Sequence, residues 1–461
     1  MDSNAAKRDD ATCQTMVEAK DIISKLHDSI LGYILSFIPT MEAVHTSVLS
    51  TRWIHVWKSI TNLKFDDSVL CCGKRMQKEQ FVCFVNTMLL HHVNSSVQSL
   101  SLCLTWYHYD SSQVSAWISS ILKRVVQNLH IHIHYADKLL FPSQTLFGCI
   151  SLVQLVLQMR CTLSVPIFSC LPNLQSVTLS GIMLVSESES SNYSEDIILR
   201  FPLLKVFEAR GCEWQTKQNI NIEAPLLERF SIAIWRSLSN ESHKSGIKIF
   251  APYLVDFSYE GDLEQDIILL NSSSIRSASV VIVMDEDKMD RMENLGFQVH
   301  NLLAQICEVE QLKLLFYKVL MHGTSIFTNL PVFGRLTYLQ LNEVSCEALL
   351  NLLHNSPILN TLVLQNGVFD LNKDVLTSAS VPQCFVSSLK DFEFRGFNVH
   401  EHELLLAKFV LANAAVLERM NICTAFWLRY SNIDMEKVKE QILSFPKCSS
   451  LVMIEFSHVN D

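Results

Sequence analysis

The sequence predicts an α/β chain in three parts: a small three-helix unit near the N-terminus, a long solenoid of strand-and-return repeats, and a closing strand, helix, strand unit. Three observations predict it. Short segments between residues 28 and 57 place apolar side chains at helical spacing. From residue 97 a six-residue strand pattern recurs eleven times, and after residue 389 a strand signal, an amphipathic helix and a second strand follow in order.

Composition sets the limits. The chain has 461 residues, 49% of them apolar, enough to fill a large core. Its formal net charge of −10 argues against nucleic acid as a partner, because phosphate binding needs a concentrated basic surface. The one basic run, "GKRMQK" at 73 to 78, reads as a solvated loop, with a nuclear import signal as the alternative. The opening "MDSNAAKRDDATCQTM" lacks the apolar core of a secretory signal, so residues 1–20 are expected to be a disordered tail. No uninterrupted apolar stretch approaches the roughly 18 residues of a membrane span. A soluble intracellular protein, cytoplasmic or nuclear and not bound to membrane, is therefore expected. The 14 cysteines include no CxxC pair and are expected to remain free thiols.

In the first unit, Asp28 is expected to cap a helix carrying Ile30, Leu31, Ile34, Leu35 and Ile38, which Pro39 stops. Thr40 is expected to cap a second helix with Val44 and Val48 one turn apart. A third follows in "SVLSTRWIHVWKSI", where Trp53 and Trp57 stand at i and i+4 and so share a face. So many large apolar side chains in about 40 residues exceed what so small a unit can bury, and part of that surface is expected to be an interface.

The repeats read apolar, two variable, apolar, one variable, apolar: "VQSLSL", "LVQLVL", "LQSVTL", "LKVFEA", "LERFSI", "LVDFSY", "IRSASV", "VEQLKL", "LTYLQL", "LNTLVL" and "LKDFEF". Most start about 20 to 35 residues apart, the long and irregular end of the leucine-rich repeat, so an irregular horseshoe is predicted over 95–370. Proline precedes several strands, as in "LPNLQSV", "FPLLKVF", "APLLERF" and "APYLVDF". "SESESSNYSED" at 186 to 196 is expected to be a mobile loop, and "MDEDKMDRMENLG" at 284 to 296 a charged surface helix. Near the C-terminus, Leu404, Leu405, Phe409, Leu411, Ala412 and Leu417 are expected along the buried side of a helix, with Glu403, Lys408 and Asn413 elsewhere, in a unit suited to capping the array.

No enzyme signature is present. "HEHELLL" has leucine, Leu406, where the zinc protease pattern needs histidine, and there is no GxGxxG, GxxxxGK[ST] or GxSxG. In "LHIHIHY" a strand would place His130, His132 and His134 on one face, and a solvated strand is favoured there over a metal site. No catalytic, cofactor-binding or metal-binding residue is assigned. Variable strand positions on the concave face, namely Glu208, Arg210, Arg229, Trp235, Asp256, Glu260, Tyr317, Tyr338, Gln340 and Gln365, are expected to face outward. Of these, Arg210, Trp235, Tyr317 and Tyr338 are taken as target-binding residues, because arginine and aromatic side chains anchor protein interfaces.

The stretch "DIISKLHDSILGYILSFIPTMEAVHTSVLSTRWIHVW" resembles the F-box of plant F-box proteins with leucine-rich repeats, and "VPQCFVSSLKDFEFRGFNVHEHELLLAKFVLANAAVLERMNI" is similar to the FBD module that ends many of them. The resemblance implies an F-box over 21–67, the repeats over 95–370 and an FBD over 380–456. It further implies docking on a Skp-type adaptor of a cullin-RING ubiquitin ligase through Leu26, Ile30, Leu31, Ile34, Leu35, Pro39, Val44, Val48, Leu49, Trp53 and Trp57, with a protein target held by the repeats. One departure is evident: the family reads Leu-Pro-Asp-Glu-Ile-Leu where this chain has Leu26, His27, Asp28, Ser29, Ile30 and Leu31. A leucine-rich interaction scaffold with a degenerate box, and a receptor with a small-molecule pocket, stand as alternatives.

Overall fold

The computed structural model describes residues 23–68, 70–71, 74–91, 97–135, 139–187, 196–215, 218–234, 246–263, 266–283, 292–317, 330–369, 376, 380–430 and 433–458. The expected N-terminal tail, most of the serine-rich acidic loop, Trp235 and the side chain of Tyr317 lie outside the described residues.

Three short helices come first: α1 (Asp28–Leu35), α2 (Thr40–His45) and α3 (Trp53–Val56). The main strands follow as β1 (Asn62–Asp66), β2 (Ser99–Leu104), β3 (Asn128–Ile133), β4 (Gln154–Val165), β5 (Ser176–Ser186), β6 (Val206–Arg210), β7 (Arg229–Ala233), β8 (Asp256–Gly261), β9 (Ser277–Val283), β10 (Gln311–Tyr317), β11 (Tyr338–Ser345), β12 (Thr361–Phe369), β13 (Asp391–Phe397), β14 (Arg419–Thr424) and β15 (Met453–His458). Each pairs in parallel with the next. Short additions at Leu139–Leu140 and Glu213–Gln215 complete a 17-stranded sheet. A second parallel sheet of five short strands, Phe168–Cys170, Ile197–Arg200, Ile220–Glu223, Ile247–Phe250 and Ile267–Leu270, is built from the return segments. Elsewhere the returns are helical, chiefly α4 (Lys78–His91), α5 (Ser111–Leu122), α6 (Met292–Gln305), α7 (Cys346–His354), α8 (Glu401–Asn413) and α9 (Met435–Leu443). In the basic run, Lys74 and Arg75 pair with Cys71 and Leu70 as a small hairpin before α4.

Every one of the eleven hexapeptides falls on a strand of the long sheet. In each the first two residues precede the strand, which begins at the third. Leu171 to Leu174, Phe201 to Leu204, Ala224 to Leu227 and Ala251 to Leu254 close by the same backbone bond, at 3.1 to 3.3 Å, with Pro172, Pro202, Pro225 and Pro252 at the second turn position, where the fixed proline φ fits. Within each strand alternate side chains point to the core, so equivalent residues of successive repeats meet. Phe207, Phe230 and Phe257 form such a column, with ring centroids 5.2 and 6.2 Å apart and nearly parallel planes.

The closing unit prolongs this array: β13 pairs with β14 with one register shift between Arg395 and Phe397, and β14 pairs with β15 in unbroken register. The buried face of α8 differs from the expected one: Glu403, Leu406, Ala407, Val410 and Leu411 are buried, while Leu404, Leu405 and Phe409 are half-buried, Ala412 is exposed and Leu417 lies beyond the helix. The helix packs near β12 as well as under the sheet, which rotates the buried stripe. Glu403 is only 1% exposed, and its carboxylate accepts from the backbone N–H of Asn398 (2.9 Å) and His400 (3.1 Å). Burial raises its pKa, and those two bonds oppose the rise. Beneath it Gly367 adopts φ +82°, and an added Cβ would overlap the Glu403 carboxylate. Gly367→Ala is therefore expected to cost about 3 kcal/mol, from the left-handed backbone and the overlap together, read as a lower urea midpoint for the full chain.

Candidate functional site

The first candidate surface is the helical box. Its start differs from the expectation: His27, not Asp28, caps α1, its Nδ1 accepting from the Ser29 N–H at 3.3 Å. Asp28 instead pairs with Arg52 at 2.7 Å, and Arg52 also donates to the Leu26 carbonyl, so the first and third helices are tied across 24 residues of sequence. Thr40 makes no cap either; its hydroxyl accepts from the Lys64 N–H at 2.7 Å and joins the box to β1. At Gly32 the absent side chain lets α1 approach Ser59.

His27 has φ −68° and ψ 148°, which proline adopts without strain. Replacing it by the family's proline removes a side-chain cap worth about 1 kcal/mol and restricts the unfolded chain by roughly 0.4–1 kcal/mol. His27→Pro is expected to leave stability within about 1 kcal/mol of the parent, measured by chemical denaturation.

The eleven expected docking residues separate into three sets. Ile30, Ile34, Val48 and Leu49 are exposed, Val48 at 86% and Leu49 at 66%. Leu26, Pro39, Val44 and Trp53 are half-buried. Leu31, Leu35 and Trp57 belong to the core at 1%, 3% and 9% exposure, a correction to their reading as contact residues: they offer no surface and instead hold the exposed set in place. Trp57 begins a 3-10 turn after the four-residue α3, and its ring meets the edge of His91 on α4 at 5.5 Å. Trp57→Ala is expected to destabilise the fold by about 3 kcal/mol through the cavity left between box and array, measured as the shift in denaturation midpoint.

Three exposed residues escaped the sequence reading. Tyr33 of α1 and Phe37 just past its end pack edge to face at 5.0 Å and extend the exposed apolar set to Ile30, Tyr33, Ile34 and Phe37, and Ile54 of α3 is exposed as well. The spacing i, i+3, i+4, i+7 was the signal available for the α1 stripe.

The second candidate surface is the face of the long sheet turned away from the core. Arg210 is exposed there, 3.6 Å from Glu208. Tyr338 is half-buried and donates to Gln340 Oε1 (3.2 Å), and Gln340 Nε2 donates to Gln365 Oε1 (3.0 Å). Gln340, expected to face outward freely, is thus buried at 7% because this amide ladder covers it. Further along, Arg395 holds Glu393 through two bonds of 3.0 Å, and Arg419 holds Asp391 at 2.6 Å. His130 and His132 lie on this face while Leu129, Ile131 and Ile133 are buried, and His132 Nδ1 is 3.0 Å from Gln158 Oε1. Among the described residues no three His, Cys, Asp or Glu side chains converge in a way that could hold a metal ion, and no helix is long and apolar enough to cross a membrane.

A three-helix box with an unburied apolar stripe is thus fastened to a long parallel array of leucine-rich repeats. The comparisons agree: the F-box domain model matches residues 23–65 and the FBD model residues 377–422. The chain is 28% identical over 448 residues to an F-box/FBD/LRR-repeat protein of Arabidopsis thaliana, covering 95% of this chain and 94% of that one. An FBD-associated F-box protein from the same plant is 27% identical over 414 residues, 87% of this chain and 92% of its own. A third Arabidopsis relative, an F-box/LRR-repeat protein, is 27% identical over 95% of this chain and 98% of its own.

Proposed function

We infer that this chain is a substrate-recognition subunit of an SCF-type cullin-RING ubiquitin ligase, docking a Skp-type adaptor through the F-box and a protein target through the open face of the repeats. The observation that carries the reading is the exposed apolar set Ile30, Ile34, Val48 and Leu49 within a matched F-box. Such a subunit does no chemistry itself. It holds a target lysine near a ubiquitin-loaded enzyme and so raises the effective concentration, which requires a rigid spacer between two binding surfaces. The array supplies that spacer. Arg210 and Tyr338 remain the proposed target anchors whose side chains are described, and Trp235 and Tyr317 stay proposed from sequence.

The test is a pull-down of the full chain with a purified Skp-type adaptor. Binding by the parent supports the ligase reading. If neither the parent nor His27→Pro binds, the box is a relic and the chain is an interaction scaffold. The His27 cap favours the first outcome, because α1 begins normally without the family's proline.

A further inference from the structure

The two ends of the long sheet are finished differently. At β1 the outward N–H of Lys64, in the middle of the strand, is taken by the Thr40 hydroxyl of the box. At β15 nothing among the described residues does the same. Six consecutive residues pair with β14 in unbroken register, from Arg419 with Met453 to Thr424 with His458. Met453 N donates to Glu418 O at 2.9 Å, and because a parallel ladder alternates sides, the backbone groups of Met453, Glu455 and Ser457 face β14. Those of Ile454 and Phe456 project from the other edge.

Open edges are normally blunted by proline, a bulge or lysine. The strand "MIEFSH" itself has none of these and a single acidic residue, Glu455, and the nearby lysine, Lys439 of α9, lies over the Phe456 ring with Nζ 5.9 Å from its centroid rather than on the strand. Its core-side residues Ile454 and Phe456 remain half-exposed, whereas the corresponding Met420 and Ile422 of β14 are fully buried. Leu443, Leu451 and Met453 are exposed around them.

We propose that a second copy of this chain covers this edge, its β15 antiparallel to the first about a two-fold axis through Phe456. The edge is self-complementary, and its side chains favour this register. Centred on Phe456, the outward N–H and C=O of the two Phe456 residues exchange bonds, the half-exposed rings come together on the core side, and each Glu455 stands opposite Ser457 of the other copy. Centred on Glu455, Ile454 and Phe456 of opposite copies exchange the bonds, but the two Glu455 carboxylates oppose each other in the close non-hydrogen-bonded pair, which is destabilising. The contact is isologous and closes on itself, so it yields a dimer rather than a fibre. Both open faces then lie on one side of a continuous sheet, with the two boxes at its far ends. The inference concerns the opposite end from the adaptor surface and stands or falls independently of the ligase reading.

Sedimentation velocity of the full chain tests it. The expected mass rises from 52.5 kDa toward twice that value between about 1 and 100 μM, the range of ordinary specific association. Ile454→Pro deletes one outward N–H and leaves the bonds to β14 intact, as proline on an edge strand can. It is expected to weaken the dimer at least tenfold with little change in melting temperature. A parent that stays monomeric at about 100 μM overturns the proposal, as does a dimer indifferent to Ile454→Pro in a folded variant. Should that variant fail to fold, hydrogen exchange on the parent decides: the amides of Ile454 and Phe456 are slowed in the dimer and released on dilution, and fast exchange of both at high concentration rejects the edge as the seat.

Discussion

Leu49→Asp in the full chain is expected to cut affinity for a Skp-type adaptor at least a hundredfold while leaving the melting temperature within about 1 °C of the parent, since exposed substitutions away from special features change stability little. The fold loses almost nothing, because Leu49 is two-thirds exposed and follows Val48 in a 3-10 turn that packs no core residue. Docking changes that. An apolar residue buried at an interface contributes by area, whereas a carboxylate in the same place must shed water without a partner, at a cost of several kcal/mol. A hundredfold loss corresponds to about 2.7 kcal/mol, well within that range. Titration calorimetry against the purified adaptor reads the result, with Phe426→Asp, an exposed aromatic in the closing module, as the variant expected to bind like the parent. Unchanged affinity in folded Leu49→Asp would remove this turn from the docking surface. The paired readout matters because Leu31→Asp would also abolish binding, but by unfolding the box.

That contrast shows what the sequence can and cannot reveal. The array was legible because its signal is redundant: the hexapeptide recurs often enough that register follows from the pattern, and the strands fell where the hexapeptides lie. Both ends carry the same hexapeptide, "ITNLKF" at 60 to 65 for β1 and "LVMIEF" at 451 to 456 for β15, yet neither was singled out as a strand of the array. The return segments hid a sheet, because pairs such as Ile220 and Ile222 are too short a period-2 run to separate from a turn. In the box every position from Ile30 to Leu35 except Gly32 bears an apolar or aromatic side chain, so periodicity does not say which face turns inward. The choice between Leu31 and Ile30 is made by what packs behind α1, namely the turn at Trp57–Ser59. Helix α8 failed for a related reason. Leu404, Leu405, Leu406, Phe409, Val410 and Leu411 leave too little polar contrast to phase the helix, and the most informative buried residue is a charged one, Glu403, held by backbone donors from the preceding loop.

A rigid join between box and array is what the proposed role requires, and one buried carboxylate bears on it most heavily. Asp67 follows β1 and is 2% exposed. Its Oδ1 accepts from the Thr105 N–H (2.9 Å) and hydroxyl (3.2 Å), and its Oδ2 from the Trp106 N–H (3.1 Å) and the Tyr109 hydroxyl (3.2 Å). Its own N–H donates to Cys103 O at 3.1 Å. The four donors come from the loop after β2. Tyr109 in turn packs against Phe81 of α4 and Trp117 of α5, with centroids 5.9 and 6.1 Å away. Burial and the neighbouring carboxylate push the Tyr109 phenol far above its ordinary pKa, so it stays a donor throughout the physiological range. Asp67→Ala leaves the N–H groups of Thr105 and Trp106, the Thr105 hydroxyl and the Tyr109 phenol without their acceptor. Hydrogen bonds to a charged group contribute about 1.5–3 kcal/mol each and are not additive, and water entering the vacated space offsets part of the loss, so the expected cost is about 4 kcal/mol. Asp67→Asn keeps one acceptor oxygen and is expected to cost about half as much. Denaturation followed by tryptophan fluorescence measures both, and limited proteolysis between box and array should quicken in the same order. Adaptor affinity is expected to hold in any folded fraction, because the exposed stripe of α1 lies apart from this network. A cost below about 1 kcal/mol for Asp67→Ala would mean that the join is held chiefly by the apolar packing of Trp57 on α4 and by Thr40 on β1.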